Sequence, residues 1–585
     1  MMENGNQKKF ECIRKKEVPQ FYNALFFSKD INGLSPKALR FFLSGKIARF
    51  INGVGASISY SSTRLYGCTF LSFGLLSLII NLLTFYFTPA EARNMDISAL
   101  IIASVFALLA IPFMLVDKPM CRALQEFAPT DLLFFEFLSI KRMTKNESVK
   151  VPRPFVGIFF GVAFAVLTFF LPIEAVVFGV FAVVFTVISF VSPELPFIAL
   201  LISVPYISGT SYSAELIAAL SLLSFLAFMR KVLFGKKTYV FGISDIIVIA
   251  FIVIIITMGM ISGGRESTYL SIRYSLITLS YFPAANIIVN RRLANRAINA
   301  VIVSSVPIAF GAVISYIVRF MGGVPTPSSV TMLSPAYLAV YLSIVAMFSI
   351  FYLIDSQASY KRPIGVLLTV LLILALITTE CVPVLILMLL LVPGIIIIKN
   401  TRVPEDLLTV IGILPLGIFF LPQSVLEWVT SVIRLTPSFA DLKAGIVESL
   451  NVMWQNIFVG IGADDVAHGN AFLGIGARFG IFALVSIAIF VLVRFRQVRV
   501  YTRFVKNSSL SELSYLTTAA MLVVLVMGCF FDLMEDNSLF CLIVTVFGMS
   551  TAALRVSKKD YDERVGYFED QNGKDSSVAD IILSK

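Results

Sequence analysis

Charge is scarce in this chain: 14% of its 585 residues are Asp, Glu, Lys or Arg, against 58% in the apolar set. Soluble domains carry about 25% charged and 45–50% apolar residues, so a soluble enzyme is excluded. Cysteine occurs six times, at 12, 68, 121, 381, 529 and 541, with no CxxC pair or regular spacing. That pattern excludes a disulfide framework and a zinc site. Tryptophan occurs twice and histidine once. A phosphate-binding glycine motif, a Walker lysine and a Ser/His/Asp arrangement are all missing, which excludes ATP-driven transport by this chain. No basic folded domain accompanies the net charge of +11, so no nucleic-acid partner is expected. Neither a metal nor a cofactor is implied.

What is abundant is apolar sequence. A helical span needs about 20 apolar residues, and runs such as 67–88, 244–262 and 481–493 supply them. The alternation of a membrane β-barrel is lacking, and no short cleavable signal precedes the first span. The expected fold is all-α and polytopic, with about 14–16 transmembrane helices by the span-length criterion. Their limits fall near 67–88, 98–116, 154–172, 175–191, 195–209, 213–229, 244–262, 268–289, 298–318, 336–354, 364–379, 381–398, 405–422, 471–493, 513–531 and 538–554. The pair around Pro193–Pro196 also reads as one broken helix.

Cytoplasmic loops collect Lys and Arg. The basic segment 1–66, Lys141/Arg142/Lys145, Arg230/Lys231/Lys236/Lys237, Arg291/Arg292/Arg296, Lys361/Arg362 and Arg494/Arg496/Arg499/Arg503 all fall on one side when sixteen spans are drawn. Both termini are then cytoplasmic, with residues 67–555 as the membrane domain and a disordered tail over 556–585. Part of the first segment, Phe21 to Ile51, reads either as a positive-inside flank or as a stretch lying on anionic lipid.

Most extracytoplasmic connections are then a few residues long, and one is not. Residues 423–470 form a large extracytoplasmic loop with helical periodicity of its own, more often a functional feature than a spacer. It holds Trp428, Trp454 and His468. The tryptophans suit a membrane interface or a surface on which sugar rings stack. His468, in a glycine-rich stretch, is either structural or an imidazole able to take a proton near neutral pH. Arg265 and Arg273 stand near an outer membrane end, and Arg434 and Lys443 lie in the loop. Arg478 lies two turns inside the span after His468. An intramembrane arginine is costly, and its fork fits phosphate oxygens. Arg273 is therefore a candidate for holding a diphosphate, or else a snorkelling or carboxylate-paired residue facing Glu266 or Glu380. Asp464 and Asp465 read as a solvated loop before a divalent-ion site, which needs more oxygens. Asp532, Glu535 and Asp536 flank the last outer turn.

The stretch NIFVGIGADDVAHGNAFLGIGARFGIFALV, residues 456–485, resembles the O-antigen ligase and O-antigen polymerase family of membrane glycosyltransferases. The match runs through Gly460-Ile461-Gly462, His468, Asn470, Phe472-Leu473 and Gly480, with weaker echoes at 281–318 and 330–348. The resemblance covers about 195–555 and implies a GT-C-like fold. It also implies inverting, metal-independent transfer of glycan from undecaprenyl diphosphate, on the extracytoplasmic side of a bacterial cytoplasmic membrane. By it His468 assists the acceptor hydroxyl, Arg273 with Arg265 holds the diphosphate, and Arg434 and Lys443 stand near the place of a further cation. Trp428, Trp454 and Asn470 would face glycan. Partners would be undecaprenyl-diphosphate-linked oligosaccharide, membrane lipids and other polysaccharide-assembly proteins. Three departures stand out: Gly469 separates His468 from Asn470, Thr378-Thr379-Glu380-Cys381 lacks the arginine common at that turn, and Lys443 replaces an arginine. A flippase or other multi-span transporter, and a catalytically silent assembly protein, are the competing classes.

Overall fold

The computed structural model describes residues 28–31, 60–87, 97–138, 153–320, 335–350, 362–389, 439–462, 470–504 and 511–572, with a few isolated positions excepted. Its architecture is helical. Eight described helices are long and apolar enough to cross a membrane, and five shorter apolar helices accompany them. Side chains such as Leu83, Phe159, Phe181 and Leu492 stand exposed on these helices. So much uncovered apolar surface is unstable in water and at home in lipid. The chain is a multi-pass membrane protein.

Two compact units divide it. One comprises Asn32–Pro196 and Leu226–Lys237. Its apolar helices are α1 (Thr63–Phe87), α2 (Ile97–Leu115), the shorter α3 (Phe155–Leu167) and α4 (Ile173–Val191). Gly157 and Gly161, one turn apart on α3, leave no room for a Cβ against the Leu65 and Thr69 carbonyls of α1. Small residues at this spacing let two helices touch backbone to backbone where lipid offers no hydrophobic drive. Phe73, Ala99, Ala103, Ala165, Ile173 and Val176 form the core of this unit. Near its polar edge the Lys118 ammonium, donating to Glu126, holds that carboxylate below its ordinary range.

The other unit comprises Met1–Ile31, Phe197–Phe225 and Thr238–Lys585. In chain order its helices are α5 (Glu194–Ile207) and α6 (Ser213–Leu233), which run across the division, then α7 (Ile243–Ile261), α8 (Arg265–Thr278) and α9 (Tyr281–Ile287). There follow α10 (Arg291–Phe320), α11 (Pro335–Ser349), α12 (Arg362–Thr378), α13 (Phe439–Gln455), α14 (Ala471–Phe479), α15 (Ile481–Phe504), α16 (Ser511–Gly528) and α17 (Asn537–Asn572). A two-stranded antiparallel ribbon, β1 (Ser28–Ile31) with β2 (Tyr239–Gly242), pairs Ser28 with Gly242. The region at Pro193–Pro196 resolves into two helices, since α4 stops at Val191 and α5 starts at Glu194.

Two expected spans are broken. Residues 268–289 form α8 and α9, not one helix, and Pro283 is the reason. It has no N–H to give the Leu279 carbonyl four residues back, which accepts instead from Phe282 N–H at 3.2 Å. Residues 471–493 split at Gly480, whose φ of +81° ends α14 after nine residues. Arg478 therefore ends a short helix and does not lie two turns inside a span. The final helix α17 runs on to Asn572, through part of the stretch where composition predicts disorder. The segment 405–422 and most of 1–66 lie outside the described residues.

Candidate functional site

Helix α8 is the polar helix of the larger unit, and its two faces do different things. Arg265, Tyr269 and Arg273 recur every four residues and so share one face. Arg265 and Tyr269 are exposed and Arg273 is half-buried. The Arg273 guanidinium lies 5.2 Å from the ring centroid of Tyr274 and interacts electrostatically with Glu215 of α6 and with Tyr269. Tyr269 Oη donates to Glu215 Oε1 at 2.7 Å. The other face buries Ser267, Ser271, Tyr274, Ser275 and Thr278. Tyr274 Oη donates to the Met534 carbonyl at 2.8 Å, fastening α8 to the turn before α17.

Against that buried face sits the GxG turn. Gly460 and Gly462 have φ of +74° and +68°, where a Cβ is strained. Ile461 N–H donates to the Ala477 carbonyl at 2.7 Å and Gly462 N–H to the Arg478 carbonyl at 3.0 Å. The turn thus satisfies carbonyls that the end of α14 leaves without intrahelical partners. A Cβ on Gly462 would overlap Ser267 of α8, and one on Gly460 would strike the Arg478 carbonyl.

The start of α14 is held as firmly. Asn470 caps it, accepting from Phe472 N–H at 2.8 Å and Leu473 N–H at 3.3 Å. Its amide donates to the Cys529 carbonyl at 3.2 Å. Beneath, Arg478 Nη2 and Asp532 Oδ2 pair at 2.7 Å, each side chain 1% exposed. Asp532 Oδ1 also accepts from Met534 N–H at 3.1 Å. Asp536 caps α17 through Ser538 and Leu539 N–H and takes a hydroxyl bond from Ser208 at 2.5 Å. Burial raises the Asp536 carboxyl above its ordinary range, against the lowering effect of those donors.

The structure therefore gathers Gly460, Gly462 and Asn470 around one buried ion pair. Arg265 and Arg273 lie on the opposite face of α8, so the helix separates them from the turn. Lys443 lies on α13, its side chain outside the described residues, and Trp454 near the end of α13 is 75% exposed. His468, Trp428, Arg434, Asp464 and Asp465 lie outside the described residues. Glu380 follows α12 with φ of +55°. Among the described residues no three His, Cys, Asp or Glu side chains gather as for a metal ion. Sequence reasoning missed Tyr269 and Glu215, although the four-residue spacing of Tyr269 from both arginines was a usable signal.

Inside this unit an apolar cavity of about 100 Å³ runs between α7, α14, α15, α16 and α17, lined by residues such as Phe251, Phe472, Phe490, Val524 and Phe547. No protein-family model matches the chain, and no curated protein is similar enough to count as a relative.

Proposed function

We propose that the chain transfers glycan from undecaprenyl diphosphate to a sugar acceptor on the extracytoplasmic side of a bacterial cytoplasmic membrane, as a polysaccharide polymerase or ligase. The observation that carries this reading is α8. One face offers Arg273, half-buried beside Tyr269 and Glu215, with Arg265 two turns further out at the first residue of the helix. The other face seats the Gly460–Gly462 turn, which stands six residues before His468 in the sequence. A diphosphate is a good leaving group, so such a site has to position, neutralise charge and accept a proton. Arg273 and Arg265 supply fixed positive charge, and His468 is the group suited to the proton. Asn470 supports the loop through its cap, which leaves glycan contacts to the exposed Trp454 and to Trp428. The fold class proposed is GT-C-like, with 423–470 as the extracytoplasmic loop and both termini cytoplasmic.

A transporter binds at mid-depth through charged groups or broken helices. The apolar cavity among the described residues carries no charged side chain in its lining, which supports transfer over transport. The test is purified protein given undecaprenyl-diphosphate oligosaccharide, with products separated by size. A ladder of longer lipid-linked chains, lost in His468→Ala and Arg273→Ala, is expected of a polymerase, and passage of an intact chain to an added acceptor is expected of a ligase. Turnover that survives both substitutions at normal expression sinks the assignment.

A further inference from the structure

At the far end of α7 from the GxG turn lies a second buried charged cluster. Nineteen residues of α7 separate the two, about 28 Å at 1.5 Å per residue. Arg494 of α15 is 2% exposed. It donates from Nη1 to Gln497 Oε1 at 2.7 Å and from Nη2 to Ser550 Oγ at 2.8 Å. Both partners are neutral, and among the described residues Nε has no hydrogen-bond partner. Arg555 of α17 pairs with the buried Asp245 and donates from Nη1 to Asn286 Oδ1 at 3.1 Å. Asp245 is further taken up by the Gly242 N–H at 2.6 Å. Tyr281, Arg555 and Asp245 are all within electrostatic range of Arg494's charge. The cluster thus holds two guanidiniums and one carboxylate, and the carboxylate pairs with Arg555.

A buried charge without a counterion is costly, and arginine does not escape by losing its proton. Among the described residues, the complement the cluster lacks is an anion with several acceptor oxygens. The apolar cavity identifies its carrier. Tyr281 lines that cavity and bonds Thr551 at 3.1 Å through its hydroxyl. Phe490, one turn before Arg494, and Phe547, one turn before Ser550, line it as well. The cavity therefore ends within a turn of the guanidiniums. Arg555, with 15% of its side chain exposed, is the accessible member of the pair.

We propose that this end of the larger unit binds an anionic phospholipid, its phosphate at Arg555 and Arg494 and part of one acyl chain in the cavity between α7, α15, α16 and α17. The site is separate from the Arg273 face and does not depend on the proposed glycan transfer. It would make the bundle's packing responsive to anionic lipid in that leaflet.

The test uses the purified full-length protein, delipidated in neutral detergent, with phosphatidylglycerol, phosphatidylcholine or inorganic phosphate added. Lipid retention by native mass spectrometry and thermal stability are read together. Phosphatidylglycerol is expected to be retained and to raise the melting temperature, and the other two to do neither. Arg494→Gln and Arg555→Gln should each weaken retention about tenfold or more, as loss of a hydrogen bond to a charged group does. Arg292→Gln, on an exposed arginine of α10, should leave it unchanged. Should Arg494→Gln fail to fold, Arg555→Gln decides alone. Equal response to phosphatidylcholine, response to inorganic phosphate only, or equal loss in Arg292→Gln would each overturn the proposal.

Discussion

Arg478 and Asp532 form a 2.7 Å ion pair that is almost wholly buried, and each partner fixes a different piece of backbone. The Arg478 carbonyl receives the Gly462 N–H, and the Asp532 carboxylate receives the Met534 N–H. Met534 in turn accepts from Tyr274, beside Arg273 on α8. One pair therefore joins the GxG turn, the turn before α17 and the helix carrying the candidate phosphate-binding arginine.

Removing one partner leaves the other charged and buried, which costs about 3–5 kcal/mol. Arg478→Ala and Asp532→Ala should each lower the melting temperature in detergent sharply. Changing both to an apolar pair, Arg478→Met with Asp532→Leu, should recover much of that loss. If the double change is as damaging as the sum of the single ones, the pair is not acting as a unit.

The glycines of the turn should tolerate no side chain. Gly460→Ala meets the Arg478 carbonyl and Gly462→Ala meets Ser267, both from positive φ. Strain of this kind costs on the order of 1–3 kcal/mol before the clash is counted. Gly179→Ala, at a position on α4 with open space around it, should be neutral or slightly stabilising, because alanine is the better helix former. Thermal unfolding of the three variants, followed by tryptophan fluorescence, separates the cases.

That the chain is helical and crosses a membrane several times was legible, because a helix that is apolar around its whole circumference needs only composition to be seen. Pro283 and Gly480 were visible too, yet their effect was not, since runs 268–289 and 471–493 satisfy the length criterion without them. The pairing of Arg478 with Asp532 joins α14 to the turn before α17, far apart in sequence, and no periodicity announces it. The Arg494–Arg555–Asp245 cluster is hidden in another way. Positive-inside reasoning counts Arg494 as an ordinary loop cation, whereas packing against Ser550 and Gln497 buries it. The glycine motif was legible as a turn, and its seat on Ser267 was not.

Arg273 should matter for donor binding more than for folding. Its guanidinium is half-buried on an outward face, so truncation leaves no buried charge behind. Arg273→Ala should weaken binding of undecaprenyl-diphosphate oligosaccharide about tenfold or more, with the melting temperature little changed. Arg273→Lys should recover part of the affinity, since an ammonium keeps the charge but not the planar fork. Unchanged donor binding in Arg273→Ala would remove it from the proposed site.

Asp536 gives the fold a pH dependence of definite sign. Burial raises its carboxyl above the ordinary carboxylate value of about 4, although Ser208 and two backbone N–H groups pull the other way. The folded state then keeps the proton at a pH where the unfolded chain has released it. Its contribution is whole below the unfolded value and is lost as pH rises through the folded one. Asp536→Asn keeps the oxygen that caps Ser538 and Leu539 and cannot ionise. The melting temperature of the wild type, measured against that of Asp536→Asn, should therefore fall as the pH is raised from about 4 toward neutrality. A difference that stays constant, or grows in the wild type's favour, would show that the buried carboxylate is fully compensated by its donors.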